Sequence, residues 1–135
     1  MLLNACSQSA ADPDAAVKAQ AQRFAEAYFN YDFDKACRFV TPESEKWLRF
    51  AASNVTQEDV DMINATSAEV SVAVTDCQHQ SDSVACVRVI VYNAVLKNNL
   101  EQPAYVADEA DFALTLVNRA GDYLIKLESL PRNGM

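Results

Sequence analysis

Residues 69–92 read E-V-S-V-A-V-T-D-C-Q-H-Q-S-D-S-V-A-C-V-R-V-I-V-Y, two alternating apolar runs on either side of a polar turn. Period-two alternation marks strands with one buried face. Val70, Val72 and Val74 alternate with Ser71, Ala73 and Thr75, and Val87, Val89 and Val91 alternate with Arg88, Ile90 and Tyr92. With Ser81-Asp82 as the loop, Val72 faces Val91, Val74 faces Val89 and Cys77 faces Cys86. One register thus puts the valines on one face and both cysteines on the other, and a one-residue slip would destroy both arrangements. Cysteines opposite one another at a non-hydrogen-bonded site can form a disulfide, so a Cys77–Cys86 bridge is expected. Two packed free thiols, or a bridge from Cys37 to either strand, are the alternatives. His79, the single histidine, falls in the expected turn beside Asp76 and Asp82, where carboxylates are ordinary turn residues. Zinc held by Cys77, His79 and Cys86 lacks a convincing fourth ligand. No metal and no cofactor is therefore expected.

Ahead of the hairpin the period is that of a helix. Val17, Ala21, Phe24 and Tyr28 form one stripe, widened by Ala25 and Phe29, with Lys18, Gln22 and Glu26 away from it. Asp12 or Asp14 can cap this helix, which should end near residues 30–32. Asp32 or Asp34 starts a short second helix. Thr41-Pro42-Glu43 opens a third with Trp47, Leu48, Phe50 and Ala51 on its apolar face. Thr56 caps one more. Beyond the hairpin, the second strand should run to Val95 or Leu96 with a bend or bulge near Asn93. Residues 97–109 read as a polar connection. A last hairpin pairs Phe112, Leu114 and Leu116 with Tyr123, Ile125 and Leu127 through a turn at residues 118–122, where Gly121 is free to take positive φ.

Three to four helices followed by about four antiparallel strands is an α+β order. At 135 residues the chain forms one domain, expected over residues 14–131, with a tail at 132–135. The net charge of −8 argues against nucleic acid and anionic membranes as partners. With Gly121 and Gly134 as the chain's two glycines, there is no Gly-rich phosphate loop, Rossmann fingerprint or Walker loop.

Two resemblances add to this reading. Leu3-Asn4-Ala5-Cys6 resembles the bacterial lipoprotein box, and Ser7-Gln8-Ser9 is similar to the polar tether that follows it. It implies a lipid on Cys6, a disordered tether up to about Asp12 within residues 1–13, and an extracytoplasmic place in the bacterial cell envelope, where disulfides persist. The stretch A-x-x-F-A-E-A-Y-F-N-Y-D-F-D-K-A-C-R-F-V-T-P-E from Ala21 to Glu43, with G-D-Y-L-I-K-L-E-S-L from Gly121 to Leu130, resembles the nuclear transport factor 2-like (cystatin-like, ketosteroid-isomerase-type) superfamily. The likeness spans about Ala16 to Leu130. With the lipoprotein box, the chain resembles small uncharacterised bacterial lipoproteins of that superfamily.

The resemblance implies a cone: a strongly curved antiparallel sheet around the helices, often with a pocket between the concave face and the first helix, and often a homodimer through the sheet. The superfamily holds isomerases and dehydratases beside non-catalytic binders, so the fold does not choose among them. An isomerase-like member would aim a carboxylate or tyrosine into the pocket, and Tyr28, Asp32, Tyr92 and Tyr123 are the candidates. Tyr28 and Trp47 offer large apolar surface with a polar tip, as binding pockets do, and core packing is the plainer use of each. The leading expectation is a non-catalytic module binding a small molecule or an envelope protein. A pocket enzyme and a structural component of an envelope complex are the alternatives.

Overall fold

A computed structural model describes residues 12–66, 69–97 and 102–132. Helix α1 spans Ala15–Phe29 and buries Val17, Ala21, Phe24, Ala25 and Phe29, the expected stripe, together with Ala27. Its end is a Schellman motif. The Tyr31 N–H donates to the Tyr28 carbonyl at 3.0 Å and the Asp32 N–H to the Ala27 carbonyl at 2.9 Å. Tyr31 sits at φ 62°, where glycine is usual. A bulky residue there costs on the order of 1–2 kcal/mol, so the ring's placement is maintained against backbone preference.

Asp32 then caps α2, Phe33–Ala36, by accepting from the Lys35 N–H. Two single 3₁₀ turns, Cys37–Phe39 and Pro42–Ser44, lead into α3, Glu45–Ser53. Helix α4, Gln57–Ala65, opens on a capping box of Thr56 and Asp59. Between α2 and α3, Val40 makes a parallel bridge to Ile125, and the Ser44 hydroxyl accepts from the Leu127 N–H at 2.8 Å while lying 2.6 Å from the Thr41 hydroxyl. Thr41 and Ser44 are fully buried, so this polar pair is what lets the chain cross the core with its hydrogen bonds made.

Four antiparallel strands follow in the order β1-β2-β3-β4: Ser71–His79, Val84–Leu96, Tyr105–Arg119 and Asp122–Lys126. The curved sheet faces α1 with Ala85, Val87, Val89 and Val91 of β2, Phe112, Leu114 and Leu116 of β3, and Ile125 of β4, all buried. Asn93 lies at φ 61° and interrupts the β2–β3 ladder, the bend expected there. Strand β3 begins earlier than its charged residues suggest. Because β2 continues to Leu96, residues 105–109 pair with it, Tyr105 opposite Leu96 and Val106 opposite Val95, instead of joining the connection. At the far end of β3, Arg119 holds Glu43 in a two-pronged ion pair, one arm at 2.8 Å, which keeps the Glu43 carboxyl down at about 2.

The expected cysteine pairing is not formed. Val72 faces Val91 and Val74 faces Val89 as expected, but a bulge at Thr75 then shifts the register. Cys77 comes opposite Val87, and Cys86 opposite Gln78. One extra residue reverses which face each later side chain takes, so Cys77 joins the helix side of the sheet and Cys86 the outer side. Cys37, Cys77 and Cys86 are free thiols.

The last turn yields a direct prediction. Ala120 and Gly121 have φ of 55° and 91°, the signs of a type I′ hairpin, and the Gly121 N–H donates to the Asn118 side chain at 3.0 Å. Glycine suits this backbone and alanine does not. Ala120→Asn should therefore stabilise the fold by about 0.5–1 kcal/mol, read as a higher urea midpoint at unchanged slope. An unchanged or lower midpoint would contradict the backbone geometry.

Candidate functional site

The capped end of α1, helices α3 and α4, and the open ends of β2 and β3 enclose a cavity of about 680 Å³. Its walls are rich in aromatic side chains. Tyr28 and Phe29 come from α1, Tyr31 from the turn after it, Phe33 from α2, Trp47 and Phe50 from α3, Tyr105 and Phe112 from β3. Ser129 to Arg132 closes one side. The rings brace one another: Tyr28 packs on Phe24, Phe29 and Phe33 at centroid distances of 5.5, 4.9 and 5.6 Å, and Phe29 on Phe112 at 4.5 Å. The strained Tyr31 has a purpose here, since its hydroxyl donates to the Val95 carbonyl at 2.8 Å and ties the end of α1 to β2.

Two charged groups of the wall, Asp59 and Lys97, pair with each other. Asp59 is 1% exposed. Its Oδ2 accepts from the Thr56 N–H at 2.9 Å and from Lys97 Nζ at 3.0 Å. Burial works against its charge, yet these two donors outweigh burial and hold the carboxyl below its ordinary range. Burial, with Tyr31 nearby, pushes the Tyr28 phenol well up. Burial and the Asp59 charge push Tyr31 up to about 12. Both phenols are therefore neutral at physiological pH. Among the described residues no buried side-chain nitrogen or oxygen lacks a hydrogen-bond partner.

Of the expected pocket residues, the structure brings Tyr28 and Trp47 into the cavity wall. Asp32 does not reach it, because its carboxylate caps α2 and is exposed. Tyr92 pairs with Ser71 and Glu109, on the β2 face opposite Val91 and the helices. Tyr123 lies on β4 with its ring 6.5 Å from His79, at the other end of α1. Cys6 lies outside the described residues. Asp59 and Lys97 were not singled out from the sequence. The signal for Asp59 was the T-x-x-D capping box at residues 56–59, which reads as a helix start and says nothing of a cavity.

His79 is not isolated in a turn. It ends β1 on the helix side, and its Nε2 lies 2.7 Å from Asp14 Oδ1. Asp14 occupies the N-cap position of α1 without capping it, its carboxylate being directed to His79 instead.

A helix layer on one side of a curved four-stranded antiparallel sheet, with a cavity at the open end, is the nuclear transport factor 2-like fold. An NTF-2 like protein of unknown function from Shewanella oneidensis MR-1 superposes with a TM-score of 0.54 over 84% of this chain and 94% of its own, at 13% identity. An Ntf2 like protein involved in plasmid conjugation aligns over 87% of this chain at 15% identity and a TM-score of 0.41, and the chain spans 48% of its length. No protein-family description and no curated protein matches the sequence.

Proposed function

We propose that the chain binds a small, largely apolar molecule in this cavity without transforming it. The observation that supports the reading is the state of Asp59. An open cavity with a buried carboxylate in its wall is also what an isomerase- or dehydratase-type enzyme requires, so the two readings part at this residue. A general base needs a carboxylate raised toward neutrality and free to take a proton. Asp59 is shifted the other way, its Oδ2 shared between a helix cap and Lys97. The aromatic side chains favour an apolar or aromatic body, and Arg132 at the cavity favours a ligand with an acidic end, Lys97 being already paired with Asp59.

The chain's single tryptophan, Trp47, lies in that wall and reports occupancy directly. The full chain is titrated with small aromatic and alicyclic compounds, each with and without a carboxylate. Saturable quenching of Trp47 is expected, together with a raised melting temperature, since ligand at 100 times Kd adds about 2.7 kcal/mol. No saturable binding across the set would remove the pocket reading. Turnover of a bound compound, lost in Asp59→Asn while binding persists, would establish the enzyme.

We further propose that a lipid on Cys6 holds this module at the outer side of a bacterial membrane, with a small molecule or an envelope protein as partner. Leu3 to Cys6 supports the anchor, and the cysteine pair adds nothing to it because Cys77 and Cys86 are not bonded. Mass measurement of the protein extracted from its host's membranes tests it, and an unmodified Cys6 would end the claim.

A further inference from the structure

We infer that Asp14, Cys77 and His79 form a binding site for a divalent transition-metal ion of the zinc class. Their donor atoms, a carboxylate oxygen, a thiol sulfur and an imidazole nitrogen, lie within 4.8 Å of one another. A tetrahedral zinc with ordinary bond lengths spaces its donors roughly 3.3–3.8 Å apart. Seating an ion therefore asks the widest pair to close by no more than about 1.5 Å and the 2.7 Å Asp14–His79 contact to open by less than about 1 Å. These are side-chain rotations.

The placement follows from the fold. Cys77 and His79 are two residues apart on β1, so they share a face. The bulge at Thr75 makes that the helix face, where α1 begins with Asp14. His79 is steadied by its edge-on contact with Tyr123. Asp14 and Cys77 are half-buried and His79 is exposed, which leaves an entry path and a fourth position for water. Three protein ligands and one open position is the pattern of accessible zinc sites. A thiolate and an imidazole select zinc, cobalt, nickel or copper over magnesium and calcium. Asp12 and Asp76 add negative charge around Cys77, against the cation Lys18. On binding, the S–metal bond replaces S–H, and the thiol proton leaves to solvent. An ion held here joins the start of α1 to the end of β1, at the opposite end of α1 from the cavity.

The test uses the full chain, reduced and freed of metal, titrated with Co²⁺ and then with Zn²⁺. One equivalent of Co²⁺ should produce a thiolate-to-metal charge-transfer band and the intense visible bands of a tetrahedral centre, all removed by Zn²⁺. Cys77→Ser should abolish the charge-transfer band, while Cys6→Ser, Cys37→Ser and Cys86→Ser retain it. His79→Ala should weaken Zn²⁺ binding by more than about tenfold, the loss that even an outer-shell change produces. Zn²⁺ should also protect Cys77 of the unaltered protein from alkylation, read by peptide mass, which needs no variant to fold. No band in the unaltered protein, a band that survives Cys77→Ser, or alkylation of Cys77 unchanged by Zn²⁺ would overturn the assignment.

Discussion

Lys97→Met is expected to destabilise the protein by about 3–5 kcal/mol at neutral pH, because it leaves Asp59 buried and charged without its cation. That is a large share of the 5–15 kcal/mol that holds a typical domain folded. The pair is well shielded, with side-chain exposures of 13% for Lys97 and 2% for Asp59. The sign of the pH dependence follows from the lowered Asp59 carboxyl. A depressed folded value gives stability that is present above the unfolded value of about 3.9 and is lost as pH falls through the folded value. In Lys97→Met the burial that opposes the charge prevails, so protonation relieves the strain. The deficit of the variant should therefore be largest near neutrality and narrow below about pH 4. Urea denaturation of both proteins at two pH values checks this. A deficit under 1 kcal/mol, or one that widens on acidification, would show that Asp59 is not held as described. Asp59→Asn combined with Lys97→Met should recover part of the loss, since the unpaired charge is then gone.

Phe112→Ala should cost a similar amount, about 3–5 kcal/mol. Phe112 is 2% exposed, lies opposite Val89 on the sheet and packs on Phe29. It also forms part of the cavity wall, so removing its ring deepens the cavity instead of leaving a sealed void. The same variant should then accept a bulkier apolar ligand than the unaltered protein, seen as Trp47 quenching by a compound one ring larger. Loss of stability without that change in ligand size would separate Phe112's packing role from the cavity.

The α1 stripe, the valine register and the Ala120-Gly121 hairpin were legible in the sequence because each rests on local periodicity or turn chemistry. Val72 opposite Val91 needs only a period of two, and Val17 to Phe29 only a period of 3.6. The Cys77–Cys86 pairing failed because it assumed that period continued through Thr75. A bulge has no strong sequence mark, and Thr75 is an ordinary strand residue. The site was legible in half. Tyr28 and Trp47 are conspicuous as aromatic residues on apolar faces. Tyr92 is turned outward by the same alternation that turns Val91 inward, and Tyr123 lies near His79 and Gln20, at the end of α1 away from the cavity. Asp59 and Lys97 are 38 residues apart, and Asp14 and His79 are 65 apart, so no local pattern could have joined them.

Thr75 divides β1 into two segments that can change independently. Before it, the inward positions are valines committed to the core, and after it they are Cys77 and His79, committed to the start of α1. Drawing Thr75 into a regular ladder would force a choice, since in one continuous register the even-numbered Val72 and Val74 and the odd-numbered Cys77 and His79 take opposite faces. Either the valines or the Cys–His pair would be turned out to solvent. The bulge therefore lets hydrophobic packing and donor chemistry occupy one strand without competing for the same phase. Substitutions on one side of it need no compensation on the other.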